Sequence, residues 1–147
     1  MGGVIVRTIY RWRLRNQSLK LGFSIPCNVF GPGLSIAHYG TFIVNENACI
    51  GSNCRLHACV NIGTVPGVEN AAPIIGDNVY IAPGVKIYGK IKIANGCIIG
   101  ANAVVNKSFE EENICIAGVP CRKISDLGRY DIERNNRIQF QKSNRSK

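Results

Sequence analysis

Aromatic residues, histidine and acidic groups are all scarce in this sequence. Phe, Trp and Tyr make up 7% of 147 residues, there are two His and a single Trp, and nine acids face eighteen bases. A core without large rings must be filled by small and branched side chains, and Ile, Val and 16 Gly supply them here. No apolar run approaches the roughly 20 residues a helix needs to cross a bilayer. Val4-Ile5-Val6 is cut off by Arg7, too soon for a secretory signal. A cytoplasmic chain without a transmembrane segment is expected. The seven cysteines (Cys27, Cys49, Cys54, Cys59, Cys97, Cys115, Cys121) contain no C-x-x-C pair. That argues against a disulfide framework and against a structural zinc site. Most are expected to act as small buried hydrophobes. Length and an 18% charged fraction fit one globular domain.

The net charge of +9 is unevenly placed. Residues 1–22 hold Arg7, Arg11, Arg13, Arg15 and Lys20 with no acid, and residues 125–147 hold six bases and three acids. The stretch between them is nearly balanced, with seven bases and six acids. A nucleic-acid binder would concentrate charge on its folded surface beside stacking aromatics. Two basic flanks give non-specific attraction to anionic surfaces and name no specific nucleic-acid partner.

What is present is a period of six. From residue 44 an aliphatic opens every hexad: Val44, Ile50, Leu56, Ile62; then, one residue out of phase, Ile75, Ile81, Ile87, Ile93, Ile99, Val105. The fifth positions are also apolar or small: Ala48, Cys54, Val60, then Val79, Val85, Ile91, Cys97, Ala103, Phe109. Helical burial recurs every 3.6 residues and strand alternation every 2, so six suits neither alone. It describes a short strand and a bend, with Gly or Asn at the bend where a left-handed backbone is required. Bends of one sense wind the chain into a prism with parallel sheets as faces, each coil burying the next.

The hexads, with Ile36-Ala37-His38-Tyr39-Gly40, Val44-Asn45-Glu46-Asn47-Ala48 and Ile116-Ala117-Gly118-Val119-Pro120, resemble the left-handed parallel β-helix acyltransferases. Within them, Ile25 to Ile124 resembles the serine acetyltransferase group, including members associated with surface-polysaccharide synthesis. The resemblance implies an all-β, left-handed parallel β-helix over 23–124 with a loop at 64–74. A basic segment (1–22) precedes it and a polar tail (125–147) follows. It also implies three hexads per coil, a homotrimer with active sites between subunits, acetyl-CoA as co-substrate, a small-molecule acceptor and no metal. The coil from Pro26 to Gly40 keeps the period poorly and is expected to be irregular.

Acetyl transfer from a thioester to a hydroxyl needs a base near neutral pH and donors for the oxyanion; imidazole and backbone N–H groups suit these roles. His38 matches the family's catalytic histidine. His57, one coil on, is either a substrate or second acid/base residue or a structural one. Glu46 matches a glutamate near the acceptor site, where it binds an amine or hydroxyl or orients an imidazole; otherwise it is a plain turn residue. The resemblance places the CoA arm along Gly63, Ala82-Pro83-Gly84 and Gly100-Ala101, read as one strip because they stand 18 or 19 apart, with Lys107, Arg122 and Lys123 toward its phosphates. Two departures bear on the acceptor. Phe23 stands where serine-specific members have the aspartate of a dyad, and Ala72 replaces a second histidine. The acceptor is therefore left open between L-serine and a sugar hydroxyl, and a catalytically impaired scaffold or interaction trimer is the rival reading. A zinc hydratase on the same prism needs three histidine ligands, and two are available. At the ends, Ile9 to Arg15 is expected to form a short helix with Trp12 packed on the first coil. The tail is expected to start a helix capped by Ser125 or Asp126 and to fade into disorder.

Overall fold

The computed structural model describes residues 2–68 and 71–132. It opens with a helix, α1 (Gly2–Leu21), longer than the hexad-free N-terminus led us to expect. Gly22 ends it: at φ 71° its N–H bonds the Ser18 carbonyl at 2.9 Å, the left-handed cap that glycine adopts without strain. Trp12 does not pack on the first coil. It is 63% exposed, because the helix meets the following chain through another side.

Parallel strands follow on three faces. One face is β1 (Phe23–Ser24), β3 (Phe42–Val44), β6 (Val60–Gly63), β9 (Lys86–Tyr88) and β12 (Val104–Val105). The second is β4 (Cys49–Ile50), β7 (Ile74–Ile75) and β10 (Lys92–Ile93). The third is β2 (Ser35–Ile36), β5 (Arg55–Leu56), β8 (Tyr80–Ile81), β11 (Ile98–Ile99) and β13 (Cys115–Ala117), closed by an antiparallel β14 (Arg122–Ser125). From β3 to β11 the chain visits the faces in strict rotation. The expected prism is what forms.

Register explains the period. Ile75 pairs with Ile93, and Ile81 with Ile99, eighteen residues apart. The opening aliphatics form inward columns, Leu56–Ile81–Ile99–Ile116 being one, and those of all ten hexads are at most 3% exposed. The fifth-position residues Cys54, Val79 and Cys97 are fully buried beside them. Asn53, Asn78 and Asn113 take φ of 55–57° at one corner, and Cys59, Gly84 and Asn102 take positive φ at another, as the bends require. The first corner is tied by side chains. Ser52 N–H donates to Asp77 Oδ1 at 2.6 Å, Asp77 N–H to Asn95 Oδ1 at 2.8 Å, and Asn95 Nδ2 to Glu112 Oε1 at 2.8 Å. A Cβ on Gly51 or Gly76 would overlap these acceptors, so glycine is needed at both.

Several expectations are corrected. Phe109 is not a fifth-position residue: it bridges Ile93, taking an opening position, because the last coil is shortened there. Cys54, Cys97 and Cys121 are buried and Cys115 is half-buried, but Cys27, Cys49 and Cys59 are exposed, since strand alternation and turns turn them outward. Burial pushes the Cys121 thiol up to about 11, so it is a protonated packing group. Ser125 ends β14 rather than capping a helix; helical backbone begins at Arg129, where Gly128 N–H is met by Asp131 Oδ2 at 3.0 Å. The rest of the tail, from residue 133, lies outside the described residues.

Ile74 and Ile75 are chain neighbours on opposite faces of one strand, 53% and 2% exposed. Ile75→Ala is expected to destabilise the fold by about 2–5 kcal/mol, and Ile74→Ala by about 0.5 kcal/mol or less. Urea unfolding of the two variants checks this.

Candidate active site

The first coil is two residues longer than its successors. Ile36 pairs with Leu56, twenty residues on, while Phe42 pairs with Val60 at the regular eighteen. The excess therefore falls between β2 and β3, and it carries His38. Gly40 lets this bulge close on the next coil, because a Cβ there would meet the Ala58 methyl at 2.8 Å. His38 and Tyr39 are exposed, Tyr39 at 98%.

His57 follows β5 in the coil above. Its ring centroid is 5.7 Å from that of His38 and 4.9 Å from that of Tyr80. It is the one buried polar side chain among the described residues. Arg55 Nε–H donates to His57 Nε2 at 3.4 Å, which leaves the ring proton on Nδ1. Burial, then the neighbouring Arg55 and His38, push the His57 pKa below the ordinary imidazole value, so this ring is neutral at neutral pH. Tyr80 and Arg55 were missed in the sequence. Arg55 pairs with Tyr80 across 25 residues, a register visible only once the seven extra residues before β7 are subtracted.

Two clefts contain the candidate residues His38 and Glu46. One, of about 150 Å³, is lined by His38 with Leu21, Phe23, Ile36, Tyr39, Gly40 and Phe42. Phe23 thus does share a cleft with His38, and it brings a ring there and no carboxylate. The other, of about 400 Å³, contains Glu46 with Asn45, Asn61, Gly63 and Thr64. Glu46 does not line the His38 cleft.

The small-residue strip is real but differently composed. His57 N–H bonds the Ile81 carbonyl, Ala82 N–H that of Ile99, and Gly100 N–H that of Ile116, so His57, Ala82 and Gly100 form a column. Pro83 and Ala101 follow them at the corner. Gly63 is not part of it: it pairs with Tyr88 on the next face. Its separation of nineteen from Ala82 was counted through an insertion of seven, and what remains is two thirds of a coil. Among the basic residues, Lys107 sits 5.4 Å from the Phe109 ring, and Arg122 is exposed on β14. Lys123 is already engaged, 2.5 Å from Asp126 and 2.6 Å from Glu111, which together raise its pKa. Ala72 is buried in the core and acts as a packing residue.

Comparison with known proteins agrees with the fold. Residues 72–107 match the family described as bacterial transferase hexapeptide (six repeats). A serine acetyltransferase of Staphylococcus epidermidis is 38% identical over 101 residues, 67% of this chain and 46% of that protein. The crystal structure of serine acetyltransferase from Brucella abortus superposes with a TM-score of 0.63 at 34% identity, over 68% of this chain and 40% of that one. The chain is a serine acetyltransferase-like hexapeptide-repeat protein. The Brucella abortus enzyme in complex with coenzyme A matches similarly, with a TM-score of 0.64 at 34% identity over 67% of this chain and 40% of that one. This hexapeptide-repeat chain spans about half the length of the curated relatives it matches.

Among the described residues no group of three or more His, Cys, Asp or Glu is placed to hold a metal ion. A buried neutral histidine makes stability depend on pH. Below the ordinary imidazole pKa the unfolded chain binds a proton that folded His57 refuses, so stability present at neutral pH is lost as the pH falls. Unfolding free energy is expected to drop between about pH 7.5 and about pH 5, and His57→Gln to flatten that slope. Urea titrations across the range measure it.

Proposed function

We propose that this chain is an acetyl-CoA-dependent O-acetyltransferase built on a left-handed β-helix. It acts as a homotrimer with active sites between subunits and acetylates the hydroxyl of a small acceptor by direct transfer. The observation that carries the reading is the His38–His57 pair, 5.7 Å apart at the bulge of the first coil and beside a corner of small residues.

In this reading His38, exposed in its cleft, takes the acceptor's hydroxyl proton as the oxygen attacks the thioester carbonyl. Backbone N–H groups at the glycine-rich corner stabilise the oxyanion. As the tetrahedral intermediate collapses, the C–S bond breaks and the departing thiolate takes the proton back from His38. His57, kept neutral by burial, adds no second cation beside the imidazolium formed in between. Ala82, Pro83 and Ala101 give the pantetheine arm close backbone approach, and Lys107 and Arg122 supply charge for phosphates. Glu46, which lines a separate cleft of the same chain, is assigned to acceptor binding, and the loop at 64–74 to a neighbouring subunit's site. L-Serine and sugar hydroxyls are the candidate acceptors.

His38→Asn is expected to lower transfer by about 10²–10⁴-fold while leaving coenzyme A binding and the trimer intact. Release of the free thiol, calorimetry and sedimentation measure the three. A near-full rate removes His38 from the chemistry, and transfer assayed with L-serine, hexoses and nucleotide sugars selects the acceptor.

A further inference from the structure

Helix α1 leaves most of its surface uncovered. At 3.6 residues per turn, Ile5, Ile9, Trp12 and Leu19 fall on one stripe, interrupted by Asn16. These four are 61%, 51%, 63% and 74% exposed. The side turned to the first coil adjoins this stripe: there Arg11, Leu14, Arg15, Ser18 and Leu19 line a cleft with Phe23. Arg15 borders the apolar stripe on one edge, and Arg13 and Lys20 on the other. Residues 1–22 carry five bases and no acid.

Two further observations limit what covers this face. No helix among the described residues is long and apolar enough to cross a membrane, so α1 does not span one. A second copy of the same helix would set five positive charges against five, with no acid on either to offset them. An apolar stripe edged by long basic side chains suits a plane that is apolar on one side and anionic on the other. The basic stems reach outward while the apolar side chains sink in.

We propose that α1 lies flat on an anionic lipid bilayer. Ile5, Ile9 and Trp12 enter the acyl boundary, and Arg13 and Lys20 meet the phosphate headgroups, while Leu19 and Arg15 stand where the stripe borders the cleft. Arg7 and Arg11, on other sides of the helix, add longer-range attraction. This inference is independent of the acetyl-transfer reading, since it uses none of the residues of the histidine pair.

Trp12 is the sole tryptophan, so its fluorescence reports on this face without labelling. The full chain is mixed with vesicles of phosphatidylglycerol and phosphatidylcholine, and separately with vesicles of phosphatidylcholine alone. With the anionic vesicles the protein should float with the lipid and Trp12 emission should move to shorter wavelength. Binding to the neutral vesicles should be at least about tenfold weaker, at a cost of about fivefold per lost charge contact, and salt at about 0.5 M should release the bound protein. Ile9→Asp should weaken anionic-vesicle binding by about tenfold or more, with helix content checked by circular dichroism. Absence of flotation and of a spectral shift with the unmodified chain overturns the proposal. Equal binding to both vesicle types overturns it too. A lipid-free shift that grows with protein concentration also does so, because a second copy then covers the stripe.

Discussion

Every feature of this molecule rests on coils that cannot bury themselves. A single turn of the prism has three two- to four-residue strands and no interior of its own. Only when Ile81 is roofed by Ile99 and floored by Leu56 does either lose contact with water. The stacking interval must therefore be nearly constant, and the inward aliphatics must recur at that interval. The backbone supplies the vertical bonds. Corner side chains such as Asp77 and Asn95 hold successive turns in register where strand pairing lapses.

Departures from the interval are where candidate function collects. Two extra residues between β2 and β3 lift His38 out of the first coil and over His57. Seven extra residues before β7 form the polar interruption of the hexads. A regular stack presents near-identical faces and offers no reason for any position to be chemically distinct. Irregularity supplies that distinction, and the uninterrupted coils above keep it rigid.

The columns were legible from the six-residue spacing because burial follows the period directly. Val44 through Val105 behave as the hexads imply, and Asn at the bends announced the left-handed corners. The His38–His57 proximity was legible for the same reason. What failed to read was anything counted across an insertion. Gly63 falls on another face and Tyr80 falls beside His57, neither apparent in the sequence because loop length conceals phase. Chain ends were harder still. The length of α1, the exposure of Trp12 and the displacement of Phe109 depend on what a terminal coil lacks, and no repeat encodes a missing neighbour. Exposed cysteines misled because the alternation that buries Ile50 turns Cys49 outward.

The two ends of the second face close in an unusual way. Instead of full strands, isolated bridges from Phe30 to Ile50 and from Phe109 to Ile93 finish it. Each offers an incoming molecule one residue of pairing and then an aromatic ring, too little template for another sheet to grow on. A solenoid with clean terminal coils could polymerise end to end into a fibre. These ragged termini give the particle a defined length on that side, so the aromatics that are rare in the core act at its boundaries as stoppers.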